Sequence, residues 1–149
     1  MGGERMKTST LATSTQTVLI ALNDGALVDP KKLFDHVWIG MPEKIPMADR
    51  RVAIIDILSE PEFYYTNCNA NTQFDVDLRI NIMSKGHVEN ATLDVFDMID
   101  AIKEMMYLDD TLGGGCIFSN IIAVDYGTVV GDSKNIVMGG YIDVKCRLT

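Results

Sequence analysis

The chain has 149 residues, 47% of them hydrophobic and 23% charged, which is the composition of a globular protein long enough to bury a core and not that of a disordered segment. Its formal net charge of -8 argues against a nucleic-acid grip, which works by neutralising phosphates with Lys and Arg. No apolar run approaches the roughly 20 residues of a spanning helix, and Met1–Lys7 has no apolar signal core, so neither a membrane span nor secretion is expected.

The charge is unevenly placed. Residues 1–50 hold six acids and six bases, residues 51–100 nine and three, and residues 101–149 six and four, so the acidic excess sits in the middle third. Cys68, Cys116 and Cys146 are widely spaced and contain no Cys-x-x-Cys pair. A disulfide framework or zinc site is therefore not expected, and a reducing cytoplasm fits. The nine methionines read as adaptable core filler, with a binding surface as the alternative.

Residues 1–8 read as a flexible leader and residues 9–149 as a single α+β domain. Ser9 or Thr10 can cap a first helix, in which Leu11, Val18, Leu19, Leu22 and Ala26 recur at helical spacing up to a stop at Gly25. Asp29-Pro30 then reads as cap and first helical residue of one short turn through Leu33 and Phe34. His36–Ile39 is a short strand ended by Gly40, and residues 40–50, with Pro42 and Pro46, form a loop. Arg51–Leu58 is apolar on both faces and is expected at the centre of a sheet.

Ser59–Thr72 is expected to be a long hairpin connection. From Phe74 to Ile82 apolar and polar residues alternate without a fault, the clearest strand signal in the chain. Asn90 is expected to cap a second helix whose apolar stripe is Val95, Met98, Ile99, Ile102, Met105 and Met106. After Gly113-Gly114-Gly115 come strands at Ile117–Tyr126 and Ile136–Leu148, joined by a polar turn around Gly131-Asp132-Ser133. Helices interrupting mainly antiparallel strands predict an α+β fold, with four long strands and a short one packed on two main helices. Residues 52–58 and 121–124 are apolar on both faces. Either the first helix or a neighbouring subunit is expected to cover the second face.

The sequence offers little catalytic chemistry. His36 and His87 are the only histidines, and neither lies near a patterned Ser, Cys or carboxylate. The glycine run lacks the Lys-Ser/Thr of a phosphate loop and precedes a strand, so a helix C-cap with close backbone packing explains it better. Asp109-Asp110 is too short a set of oxygens for a divalent cation and reads as a solvated turn. No catalytic, metal or cofactor site is expected. Asp75 and Asp77 share a strand face, which is an ordinary exposed face or else an acidic interface or lumen. Phe63, Tyr64 and Tyr65 cannot all enter one core, so this loop either packs locally or contacts a partner.

Taken together, the opening helix, His36-Val37-Trp38 with its Pro-containing loop, the long hairpin, and above all a helix running into Leu108-Asp109-Asp110-Thr111-Leu112-Gly113-Gly114 before a final strand pair resemble the bacteriophage tail-terminator (tail-completion) family. The resemblance covers most of residues 15–149. It implies a structural protein rather than an enzyme: a ring, commonly a hexamer, that docks on the last tail-tube ring, ends tube polymerisation and presents a surface to the head. The implied partners are further copies of the chain, the tail-tube protein and a head-completion or connector protein, with DNA passing through the lumen unbound and no membrane involved. The implied place is the tail or neck of the virion, reached from the host cytoplasm during assembly. Two other readings stay open: a head-side connector or stopper of the phage neck, and a small-ligand-binding α+β domain, which would need a pocket of convergent polar groups.

Overall fold

The computed structural model describes residues 6–25, 33–45, 49–59, 64–66, 72–86, 88–130 and 137–149. In chain order they form α1 (Thr8–Gly25), β1 (His36–Ile39), β2 (Arg51–Ser59), β3 (Tyr64–Thr66), β4 (Thr72–Lys85), α2 (Val88–Leu108), β5 (Phe118–Val130) and β6 (Val137–Leu148). The fold is α+β. Among the described residues the strands make one mixed, mostly antiparallel sheet in the order β1-β2-β4-β6-β5, with β3 paired to β4 off this path and β1 and β2 alone parallel.

Alternation in β4 and β6 creates the two faces of this sheet. Val76, Leu78, Ile80 and Ile82 of β4 lie on the same face as Ile142, Val144 and Cys146 of β6, and all are fully buried. That face receives both helices: Leu11 and Leu19 of α1 and Val95, Met98, Ile99, Ile102 and Met106 of α2 join it in one core cluster. Gln16 Nε2 donates to the Val37 carbonyl (2.9 Å), and the Asn23 amide bonds both the N–H and the carbonyl of Phe34 (2.8 and 3.0 Å), fixing α1 antiparallel to β1.

Ser9 and Thr10, expected as the cap of the first helix, lie inside its first turn because α1 already opens at Thr8. Apart from this cap, the expected strand and helix positions agree with these elements except in four places. Tyr64–Thr66 is strand and not loop: it pairs with Phe74, Gln73 and Thr72, continuing along β4 beyond the point where β2 ends. Two tyrosines and a threonine are strong strand formers, but three residues are too few for an alternation to register. Second, α2 starts at Val88, so Asn90 lies inside the first turn, where Glu89 favours the helix dipole.

The other two concern the sheet's second face. Because both helices lie on one side, α1 does not cover the second face of β2. Val52 and Ile54 are nonetheless buried there, beside Met83 and Trp38 in the register, and Met41 of the loop after β1 lines a groove on the same face together with Asp56, Asn81 and Met83. The apolar run at 121–124 is a β-bulge. Ile121 pairs with Val144 and Val124 with Ile142, so both face the helices, while Ile122 has no partner in β6 and is exposed. Of residues 1–8, Met6 packs against the core and donates its N–H to the Thr149 carbonyl (2.7 Å), and Thr8 opens α1. The expected turn at Asp29-Pro30, Ala26, His87, Cys68 and the turn around Gly131 lie outside the described residues.

Most of the described methionines fill the core. Met98, Met106 and Met138 are buried and Met6 and Met105 pack against the cluster, whereas Met41 is exposed.

Candidate functional site

On the face of the sheet away from the helices, β4 and β6 present their polar residues in register. Asp75 lies opposite Arg147, Asp77 opposite Lys145, and Arg79 opposite Asp143, so each acid on one strand meets a base on the other. Arg147 Nε donates to Asp75 Oδ1 at 3.1 Å, and Asp75 is only 5% exposed. Arg79 grips Asp143 with two parallel bonds, Nε to Oδ1 at 2.7 Å and Nη2 to Oδ2 at 2.9 Å. The bond to Asp143 raises the Arg79 pKa above its ordinary value, against a smaller opposing effect of burial. Both guanidinium groups also lie over rings, Arg79 4.0 Å from the Tyr141 centroid and Arg147 5.0 Å from that of Phe118.

The network continues across β2, where Asn81 Nδ2 donates to Asp56 Oδ2 at 2.8 Å. Ser59 Oγ donates to Asp77 Oδ2 at 3.1 Å, while Asp77 Oδ1 is buried without a hydrogen-bond partner. Asp75 and Asp77 therefore do share a face, where Arg147 pairs with Asp75 and Lys145 lies opposite Asp77 in the register, so the face is mixed in charge. Beside this network a shallow groove of about 300 Å³ runs between Met41, Met83, Tyr141 and the backbone of Gly139-Gly140, with Asp56 and Asn81 at its floor. Its polar groups are committed to one another. It offers shape and aromatic surface more than reactive groups.

The aromatic loop divides. Phe63 lies outside the described residues, and Tyr64 and Tyr65 belong to β3, paired with Phe74 and Gln73. That pairing places them at the far end of β4 from the Met-lined groove, beyond Asp75 and Asp77.

The joint after α2 is built as a turn. Asp109 accepts from the Thr111 hydroxyl (2.6 Å), the Thr111 N–H (3.0 Å) and the Gly113 N–H (3.0 Å). The Thr111 hydroxyl bond comes first among the causes that hold the Asp109 carboxyl below its ordinary pKa. Leu112, Gly113 and Gly114 take positive φ values of 50°, 71° and 87°. A Cβ on Gly113 would stand 2.8 Å from Val18 Cγ1, and one on Gly115 2.9 Å from Ser14 Cβ and 3.2 Å from Leu11 Cα. The glycine run thus serves the chain's path and the close approach of α1. Behind it Cys116 and Cys146 are free and buried, and the Cys146 thiol is pushed up by its hydrogen bond with Cys116 and by burial.

His36 bonds the buried Asp49 (Nδ1 to Oδ2, 2.5 Å) and stacks on Trp38 at 5.1 Å, which ties the loop after β1 back to that strand. Among the described residues, no group of three or more His, Cys, Asp or Glu could hold a metal ion, and no helix is long and apolar enough to cross a membrane.

Sequence reasoning named Asp75 and Asp77 and missed Arg79, Arg147, Asp143 and Tyr141. The signal was present: read backwards, Arg147-Lys145-Asp143 is the charge complement of Asp75-Asp77-Arg79.

No protein-family model matches the sequence, and no curated protein does. Among solved structures the chain is similar to one described as the sheath/tube terminator of an extracellular contractile injection system, PVC, in its extended state. The two share 11% identity at a TM-score of 0.38, over 99% of this chain and 58% of that one. The chain therefore spans little more than half the length of that neighbour, and a likeness at this TM-score transfers no role.

Proposed function

We propose that the chain is a tail-terminator-like structural protein, which forms a ring on the end of a tail tube, ends its polymerisation and offers the surface to which a head is joined. The observation that carries the reading is the joint at Leu108–Gly115. A long helix, an Asp-Asp-Thr turn held by Asp109, a left-handed Leu112-Gly113-Gly114 passage and a closing strand pair follow one another in the order that resembles the terminator family. The injection-system neighbour points the same way but adds no weight at its TM-score.

On this reading the working parts are surfaces. The mixed-charge face with Asp75 and Asp77 lines the lumen or meets a partner ring, letting DNA pass because its two arginines are already engaged by its own carboxylates. The segment at Phe63, Tyr64 and Tyr65 contacts a neighbour or the tail-tube protein. Deleting the gene in the parent phage tests the assignment. The expected result is overlong tails without heads. Tails of normal length that fail to join heads would overturn it in favour of the head-side connector.

A further inference from the structure

Among the described residues, α2 has the largest share of the exposed apolar surface. Of eleven exposed large apolar side chains, Leu93, Phe96, Tyr107 and Leu108 belong to this helix. The other seven are spread over α1, β1, β2, β5 and the loop after β1, at most two to an element. With about 3.6 residues per turn, the buried stripe of Val95, Met98, Ile99, Ile102 and Met106 points to the sheet. Leu93, Asp97, Asp100, Glu104 and Tyr107 then lie on the opposite side of the helix, and all five are exposed. Phe96 and Lys103 form the margin of this outward face toward β5. Phe96 meets Tyr126 edge to face at 5.6 Å, and Lys103 donates to the Tyr126 hydroxyl at 3.1 Å.

Charge distinguishes this face from a bare apolar patch. The helix carries five acids and one base, a net charge of -4, which is half the -8 of the whole chain. Asp94 is turned to β4, where it accepts from Ser84 Oγ at 3.1 Å. Asp97, Asp100 and Glu104 belong to none of the ion pairs formed among the described residues, and the single base is drawn aside to Tyr126. Three carboxylates thus occupy the middle of the face, with Leu93 and Phe96 at one end and Tyr107 at the other.

That arrangement restricts what can lie on it. Nucleic acid is repelled, and among the described residues no group of three or more His, Cys, Asp or Glu could hold a metal ion. A second copy is a poor occupant of this face. Two such faces would oppose carboxylate to carboxylate, and over the whole chain acids outnumber bases 21 to 13. We infer that the outward face of α2 is a docking surface for a basic amphipathic helix of a different protein. The partner helix lies along α2, with Lys or Arg side chains over Asp97, Asp100 and Glu104 and apolar side chains on Leu93, Phe96 and Tyr107. From Leu93 to Tyr107 the face is about 21 Å long, room for about four turns of such a helix. The apolar ends supply the area removed from water, and the carboxylates select the sign and register of the partner. This surface is independent of the terminator reading, because it is built on α2 alone.

The test is fluorescence anisotropy of a labelled synthetic leucine/lysine amphipathic helix of about 18 residues, titrated with the full chain. Circular dichroism of each variant is the folding control. Saturable binding that weakens as salt is raised is expected for the wild type. A counterpart peptide with glutamate in place of lysine, and one with serine in place of leucine, are each expected to bind at least about tenfold more weakly. Asp100→Lys and Phe96→Ser should each weaken binding of the first peptide at least about tenfold. Glu43→Lys makes the same change of net charge at an exposed position in the loop after β1, and should leave binding unchanged. Should Phe96→Ser loosen the helix, Leu93→Ser provides the same reading without touching Tyr126. Absence of saturable binding overturns the inference. So does equal binding of the serine peptide, or a loss with Glu43→Lys as large as with Asp100→Lys, since either would reduce the effect to overall charge. A wild-type oligomer that Phe96→Ser or Asp100→Lys dissociates would assign the face to a second copy instead.

Discussion

On the helix-covered face of the sheet, Leu78 and Ile80 of β4 stand beside Ile142 and Val144 of β6 with no exposure to solvent; on the other face the same two strands set Asp75, Asp77 and Arg79 against Arg147, Lys145 and Asp143. The first face is held by area removed from water, roughly 25 cal/mol per Å² of apolar surface, and tolerates little change of volume. The second is held by directional pairs whose net value is small while they are intact and whose cost is large when one member is lost. The same backbone therefore carries one face specialised for stability and another whose surface chemistry is free to serve assembly.

The sharpest way to break this contrast is to cut into the covered face. Ile80→Ala, at a fully buried site, is expected to cost about 2–5 kcal/mol in urea unfolding. Gly115→Ala attacks the joint, because its Cβ would press on Leu11 and Ser14. A loss of about 1–3 kcal/mol is expected from the displacement of α1. On the open face, Arg147→Leu leaves the buried Asp75 without its partner and is expected to cost about 1–3 kcal/mol. The double variant Asp75→Leu/Arg147→Leu should recover part of that loss. A double variant less stable than Arg147→Leu alone would show that the pair itself, and not the stranded carboxylate, carries the energy.

Asp109→Ala is a smaller step, about 1 kcal/mol at neutral pH, from lost turn hydrogen bonds. Its sign with pH is fixed. The folded-state pKa lies below the ordinary 3.8, so the stabilisation is complete above that value and disappears as pH falls through the lower folded one. The gap in melting temperature between wild type and variant should be constant near neutrality and close only in strong acid. Lys145→Ala, at an exposed site on the open face, should stay within about 0.5 kcal/mol of the wild type.

Much of this architecture was legible in the residues. The faultless alternation of Phe74–Ile82, the stripe from Val95 to Met106 and the Asp-Asp-Thr-Leu-Gly-Gly-Gly joint each contain their own local instruction: a period of two, a period near 3.6, and positions that need glycine. What was not legible depends on partners far away in sequence. That both helices share one side of the sheet, that β3 lines up behind β2, and that a bulge turns Ile121 and Val124 to the same face are settled by packing, which a single stretch of sequence does not contain. The open face lay between these cases. Its two acids were visible along one strand, but the bases opposite them required the register of β4 on β6.

Tube length measures the central claim most directly. On the proposed reading, a tail-tube protein is allowed to polymerise with increasing amounts of this chain, and the tubes are measured by electron microscopy. A tail terminator should shorten the tubes in proportion to its concentration and remain at one end of each. Tubes of unchanged length, with no density of this chain at either end, would contradict the account.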